Sequence, residues 1–261
     1  MKESEIAIAA ALAAGRLIRE GFGSHHNAQS KGSAIDLVTP IDQQAEELIV
    51  SILRQAFPAY GFLSEESPPI AGIAEKCWII DPLDGTTNYA HGYPFFAVSI
   101  ALVQQGEIVL GVVYNPVADE LFVAERGKGA TLNGCPIHVS GTKKLASSLL
   151  ASGFPYEAWE TDDDNTTEWR YFLKRVVSLR SDGSAALDLC HVACGRLDGY
   201  WELGLEPWDM AAGSLIVQEA GGQVTDLKGG PFSLYGREIL ASNGHIHQEM
   251  VEVLHQARFR R

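Results

Sequence analysis

Apolar positions recur along this chain with two periods, and the switches between them mark its elements. Residues 4–21 are Ala-rich at helical spacing and predict a helix ending near Gly21. Residues 23–33, which include Lys31-Gly32-Ser33, are polar and read as a mobile loop. Thr39-Pro40-Ile41-Asp42 opens a second helix, with Thr39 as N-cap, Pro40 in the first turn and Asp42 three residues after the cap. Ala45, Leu48, Ile49, Ile52, Leu53 and Ala56 follow on one face, and Pro58 stops the helix. Cys77-Trp78-Ile79-Ile80 is a short unbroken apolar run between charge and Asp81-Pro82, which predicts a buried strand. Pro82 has no N–H to give a ladder, so the strand should stop there. Gly85 permits a tight turn, and Thr86-Thr87-Asn88 should cap a further helix.

Beyond Asn88, strand-like runs at 95–103, 108–114, 121–124 and 130–132 are separated by Gln105-Gly106, Asn115-Pro116 and Gly127-Lys128-Gly129. That is the pattern of an antiparallel meander. The polar connector Gly141-Thr142-Lys143-Lys144 divides a single catalytic unit into subdomains of about 1–142 and 143–261. The second half alternates. A strand at 149–152 precedes a solvated acidic turn, Asp162-Asp163-Asp164-Asn165, and a helix at 168–177. Ser181-Asp182-Gly183-Ser184 introduces a helix at 185–194, and the strand at 199–203 carries Glu202. Pro207 opens a helix with Asp209 in its first turn, Gly221-Gly222 ends it, and Val224 and 239–241 suggest further strands.

Composition narrows the class. The 261 residues, 46% hydrophobic and 20% charged, suit a globular protein with one large core. A net charge of -13 disfavours direct binding to nucleic acid or an anionic membrane. It leaves an anionic substrate open, because bound metals can reverse the local field. Cys77, Cys135, Cys190 and Cys194 form no CxxC pair and no zinc spacing, which fits a reducing cytoplasm. Glu3 and Glu5 stand where a signal peptide needs positive charge, and the apolar run 6–14 is too short to span a membrane. A cytoplasmic protein without a membrane segment is expected.

The chemistry gathers at element ends. Asp81 and Asp84 close the organising strand, Gly61-Phe62-Leu63-Ser64-Glu65-Glu66 ends in two acids just before it, and Asp209 begins a helix. Adjacent surface glutamates are usually just solvated, and first-turn acids such as Asp42 often do no more than favour the helix dipole. Four carboxylates brought together would repel unless cations neutralised them. Hard oxygens without His or Cys suit Mg²⁺ or Mn²⁺. Carboxylates for metal and free helix amides for phosphate together suggest metal-assisted phosphate-ester chemistry.

Here the sequence resembles the inositol monophosphatase family. Trp78-Ile79-Ile80-Asp81-Pro82-Leu83-Asp84-Gly85-Thr86-Thr87-Asn88 looks like its first signature, and Trp208-Asp209-Met210-Ala211-Ala212-Gly213 like its second. Ser64-Glu65-Glu66-Ser67, Gly153-Phe154-Pro155-Tyr156 with Asp164-Asn165, and Gly183-Ser184-Ala185-Ala186-Leu187-Asp188-Leu189 are similar to other stretches of it. The resemblance implies a layered αβαβα fold and a lithium-sensitive, Mg²⁺-dependent phosphomonoesterase, usually a homodimer. Two or three metals per site are implied, with Mn²⁺ an alternative. It implies metal ligation by Glu65, Asp81, the Leu83 carbonyl, Asp84 and Asp209. Glu65, Thr86 and Asp42 would serve catalysis by positioning or activating a metal-held water. Asp84, Gly85 and Thr86 would meet the phosphate, Gly183, Ser184, Ala185 and Glu202 the alcohol part of the substrate, and Asp209 would bind substrate as well as metal. Lys31 matches a loop lysine near a weaker metal site. Two departures are visible: Ser64 stands where the family often has Gly, and Asp182 adds charge beside the substrate loop.

The leading expectation is hydrolysis of myo-inositol monophosphate to inositol and phosphate. Alternatives are a sugar bisphosphatase, histidinol-phosphatase or nucleotide 3′-phosphatase of the same superfamily, or a non-catalytic role in a transcription complex. A haloacid-dehalogenase-type phosphatase needs D-x-D spacing, whereas this chain has D-x-x-D.

Overall fold

The computed structural model describes residues 2–23, 29–30, 37–158 and 160–259. Lys31 and most of the predicted mobile loop lie outside them. Helix α1 (Glu3–Gly21) buries Ala7, Ala10, Ala11, Ala14 and Ile18 along one stripe. The short strands β1 (Gln29–Ser30) and β2 (Leu37–Val38) pair antiparallel. Helix α2 (Pro40–Ala56) starts as its sequence requires: Thr39 accepts from the Ile41 N–H, and Asp42 closes the capping box. Leu48, Ile52 and Ala56 are only half-buried, and Glu46, absent from the predicted stripe, is buried.

A seven-stranded sheet follows, in the order β3 (Gly61–Ser64), β4 (Lys76–Asp84), β5 (Ala97–Gln104), β6 (Glu107–Asn115), β7 (Glu120–Glu125), β8 (Ala130–Leu132) and β9 (Cys135–Pro136). From β4 onward it is the expected meander, while β3 lies parallel to β4 and gives the sheet its outer edge. The strand carrying Asp81 does not stop at Pro82. It runs to Asp84, and its ladder to β5 slips between Asp81 and Asp84, so the residue with no N–H falls within the irregularity. The short helix α3 (Thr86–Ala90) is not capped by threonine either: its N-cap is Gly85, at φ 96°, a conformation that favours glycine.

The second sheet has the order β11-β10-β12-β14-β13. In chain order the elements are β10 (Leu149–Ser152), α4 (Thr166–Leu173), β11 (Ser178–Arg180), α5 (Ala185–Ala193), β12 (Gly199–Leu203), α6 (Pro207–Glu219), β13 (Gln223–Thr225), β14 (Glu238–Ser242) and α7 (His247–Phe259). The helix expected to reach residue 177 ends at Leu173, and β11, assigned no element from sequence, follows it. Nor was α7 anticipated, although Met250, Val253, Leu254 and Ala257 repeat at helical spacing.

Burial defines five layers, the αβαβα order the resemblance implies. One core joins α1 and α2 to one face of the large sheet through Ala14, Ile49, Trp78, Ile80, Ile100 and Val112. A second places α5 and α6 between the sheets, with Ile79, Ala101 and Val113 on one side and Tyr200 and Ala241 on the other. The third packs α4 and α7 on the outer face of the small sheet through Phe172, Trp201, Leu240 and Leu254. Neighbouring residues of β4 and of β12 thus enter different cores, as strand alternation demands. No helix among the described residues is long and apolar enough to cross a membrane, and the four cysteines are all free thiols.

Candidate active site

The irregular end of β4 turns its backbone back on itself. Asp81 Oδ1 accepts from the Leu83 N–H at 2.9 Å, and the Leu83 carbonyl accepts from Thr86 Oγ1 at 3.0 Å. Thr86 Oγ1 also lies 2.8 Å from Asp42 Oδ1. The other Asp42 oxygen accepts from Thr39 N at 2.8 Å and Thr39 Oγ1 at 2.6 Å. Asp42 therefore caps its helix and anchors Thr86 with different oxygens. Across the layer boundary, Asp84 Oδ2 accepts from Ser184 Oγ at 2.5 Å and from Ala186 N at 2.8 Å. Ser184 is also the N-cap of α5, so the start of that helix is tied to the end of β4.

A cavity of about 530 Å³ opens over this junction. Glu65, Asp81, Leu83, Asp84, Gly85, Thr86, Gly183, Ser184, Ala185, Glu202 and Asp209 all line it. Of the remaining sequence candidates, Asp42 is fully buried behind Thr86, and Lys31 lies outside the described residues. Ser184 borders the cavity, but its hydroxyl is already committed to Asp84. Asp182 is not part of the lining; its carbonyl accepts from Asn88 Nδ2 at 2.8 Å, and its half-buried carboxyl is pushed up by burial.

The electrostatics are those of crowded acids. Burial pushes Asp81 well above the ordinary carboxylate range, and the charges of Glu65, Asp84 and Asp209 add to it. Asp209 is pushed up by burial and then by Asp84 and Glu65. Asp84 rises to about 6 from burial, with the Ser184 hydroxyl and Ala186 N–H holding it down. Among the described residues lining the cavity, the only cation is Arg237, and it is paired at 3.2 Å with Glu157 and with Glu206. The donor set is hard oxygen with no compensating charge, which fits Mg²⁺ or Mn²⁺. The side chains do not stand as a finished coordination sphere: no three Asp, Glu, His or Cys groups among the described residues already meet around one point. Glu65, Asp81, Asp84, Asp209 and the Leu83 carbonyl are the groups that could hold a cation here.

Several supporting residues escaped the sequence reading. Asn88 Nδ2 bonds the carbonyls of Phe95 at 2.7 Å, Asp182 at 2.8 Å and Gly183 at 3.2 Å, fastening the α3 loop to the 183 loop. Glu46 Oε2 accepts from the Glu66 N–H at 2.8 Å and so fixes the backbone beside Glu65. It lies one helical turn from Asp42 on the same face, the signal that could have found it. Asn165, at φ 67°, donates to Ser152 Oγ and the Gly153 carbonyl and accepts from Trp201 Nε1 at 2.8 Å. Asp188 is 2% exposed, its Oδ1 has no partner, and burial pushes its carboxyl well up. A lone acid within the apolar run 185–190 was its sequence signal.

Comparison with known proteins agrees with this geometry. The chain is 50% identical over 251 residues to inositol-1-monophosphatase of Synechocystis, covering 96% of this chain and 88% of that one. It is 44% identical to Nus factor SuhB of Pseudomonas aeruginosa, covering 91% of this chain and 90% of that one. The solved inositol monophosphatase of Anabaena superposes with a TM-score of 0.89 at 44% identity, covering 97% of this chain and 95% of that one. The profile of the inositol monophosphatase family matches residues 2–258, spanning both sheets and every residue lining the cavity, and the chain belongs to that family.

Proposed function

We propose that this protein is a Mg²⁺-dependent phosphomonoesterase that hydrolyses myo-inositol monophosphate to inositol and phosphate. One observation carries the reading: the wall of a single cavity brings together the uncompensated acids Glu65, Asp81, Asp84 and Asp209, Thr86 with Asp42 behind it, and Glu202. The names of its close relatives support the same substrate class. With Mg²⁺ held by Glu65, Asp81, the Leu83 carbonyl, Asp84 and Asp209, the cation would offset phosphate charge and make a water acidic enough to attack.

The chain's own residues supply the rest. Whether Asp42 Oδ1 or the Leu83 carbonyl takes the Thr86 proton, the lone pairs of Thr86 Oγ1 are left to accept from the attacking water and orient it toward phosphorus. Water oxygen bonds to phosphorus as the ester P–O bond breaks; one of the water's protons stays on the phosphate and the other passes to the departing alkoxide. Gly85 keeps its backbone close: a side chain there would crowd the Phe95 and Gly183 carbonyls at 3.0 and 3.1 Å. Glu202 offers carboxylate oxygens to ring hydroxyls, as a polyol requires.

The test is phosphate release from inositol 1-phosphate with Mg²⁺, for the wild type and for Asp84→Asn. Activity that chelation abolishes, and that falls by about 10²–10⁴ in the variant, is expected for loss of a group acting on the reacting centre. A wild type inactive on inositol 1-phosphate but active on fructose 1,6-bisphosphate would move the substrate to the sugar phosphates. The likeness to a Nus factor favours a second role beside the first, in a transcription complex. With a net charge of -13, that role would run through protein contacts. Recovery of transcription proteins with the tagged wild type, and equally with Asp84→Asn, would separate it from catalysis.

A further inference from the structure

We propose that Tyr200 is a positioning residue that sets Glu202 for recognition of the substrate's hydroxyls. This rests on the polyol phosphatase reading above. Tyr200 and Glu202 are two apart on β12 and so share a face, while Trp201 and Leu203 enter the opposite core. Tyr200 is fully buried in the core between the sheets. Its hydroxyl needs a partner there, and it donates to Glu202 Oε2. From the other side the backbone of Gly153 lies against the Glu202 carboxylate. Any side-chain carbon at Gly153 would overlap that carboxylate, so the residue that follows β10 is the one that lets it sit there.

The Tyr200 hydroxyl thus holds the carboxylate, and the Gly153 backbone bounds it, at the cavity wall. An ionised carboxylate has about four lone-pair sites, so roughly three remain for a ligand. Glu202 lines the cavity, whereas Tyr200 does not and can act on substrate only through it. A free glutamate would lose rotamer freedom on binding a polyol; a tethered one has lost it already. The phenol therefore favours esters whose alcohol carries hydroxyls and is indifferent to esters whose alcohol has none.

Tyr200→Phe keeps the ring and removes the donor. With Mg²⁺, KM for inositol 1-phosphate should rise about tenfold with kcat nearly unchanged, the loss expected for one hydrogen bond to a charged group. Both constants for p-nitrophenyl phosphate, which has no alcohol hydroxyl, should stay within about twofold. KM does not depend on the fraction of enzyme folded, so partial misfolding would not imitate this result. In a Glu202→Ala background the same substitution should add nothing. Equal losses on both esters, no loss on either, or additive effects with Glu202→Ala would each overturn the assignment and leave the phosphatase reading standing. A wild type that turns over neither ester would overturn both.

Discussion

Thr86 shows how much one hydroxyl is asked to do. Its oxygen lies between Asp42 Oδ1 at 2.8 Å and the Leu83 carbonyl at 3.0 Å, and it has one proton to give. Whichever acceptor takes that proton, only a hydroxyl leaves lone pairs for water. Thr86→Ser should therefore keep activity within about tenfold, whereas Thr86→Val, equal in volume, should lose about 10²-fold or more in kcat with an unchanged circular dichroism spectrum. Retention of activity by the valine variant would remove Thr86 from the mechanism. Asp42 illustrates why such roles are hard to separate by sequence. The capping reading and the site reading are both true, because a carboxylate has two oxygens and each has its own partner.

At the scale of elements, the site depends on how closely α6 lies on the large sheet. Gly111 of β6 lies under Ala212, and a methyl there would come 2.7 Å from the Ala212 carbonyl oxygen. Backbone against backbone cannot give way as a flexible side chain would. Gly111→Ala should destabilise by about 1–3 kcal/mol in urea unfolding, and it should lower kcat as well, since the shifted helix carries Asp209. The elements themselves were largely legible: the α2 cap, the meander and the bounds of β10, β12 and α6 all followed from period and punctuation. The errors have physical causes. Pro82 was expected to end a strand, but a ladder irregularity lets the chain pass it without needing its N–H. Gly85, not Thr86, is the N-cap of α3, because a φ of 96° decides the turn before capping chemistry can. The acids of the site were legible through their resemblance to family motifs. Asn88 and Asn165 stood inside quoted motifs, but their roles, and that of Glu46, were not read, because each bonds groups distant in sequence.

The whole molecule carries an electrostatic load at its centre. Glu202 is pushed up to about 7 from 4.5 by burial, so the folded chain holds that proton more tightly than the unfolded one. The stability it contributes is full below pH 4.5 and is lost as pH rises through about 7. His247 acts in the opposite direction: lowered by burial to about 4 from 6.5, it contributes above pH 6.5 and loses that contribution as pH falls through about 4. In cation-free protein, Glu202→Gln should reduce the fall in unfolding free energy between pH 5 and 8 by about 1–3 kcal/mol, the linkage scale of such a shift. An unchanged slope would mean that Glu202 titrates normally in the fold. Mg²⁺ at about a hundred times its dissociation constant should add about 2.7 kcal/mol to the stability at pH 8, and Asp209→Asn should diminish that gain. The hydrogen bond from Ser184 to Asp84 joins residues 100 positions apart, and this has a consequence for the chain as it is made. At ribosomal speeds of about 5–20 residues per second, Asp84 emerges roughly 5–20 s before its partner. During that interval the meander, built from near neighbours, has time to form, but the catalytic centre has no second wall. A nascent or prematurely ended chain can thus be well ordered and still inert, and the appearance of activity marks the last step of folding rather than the first.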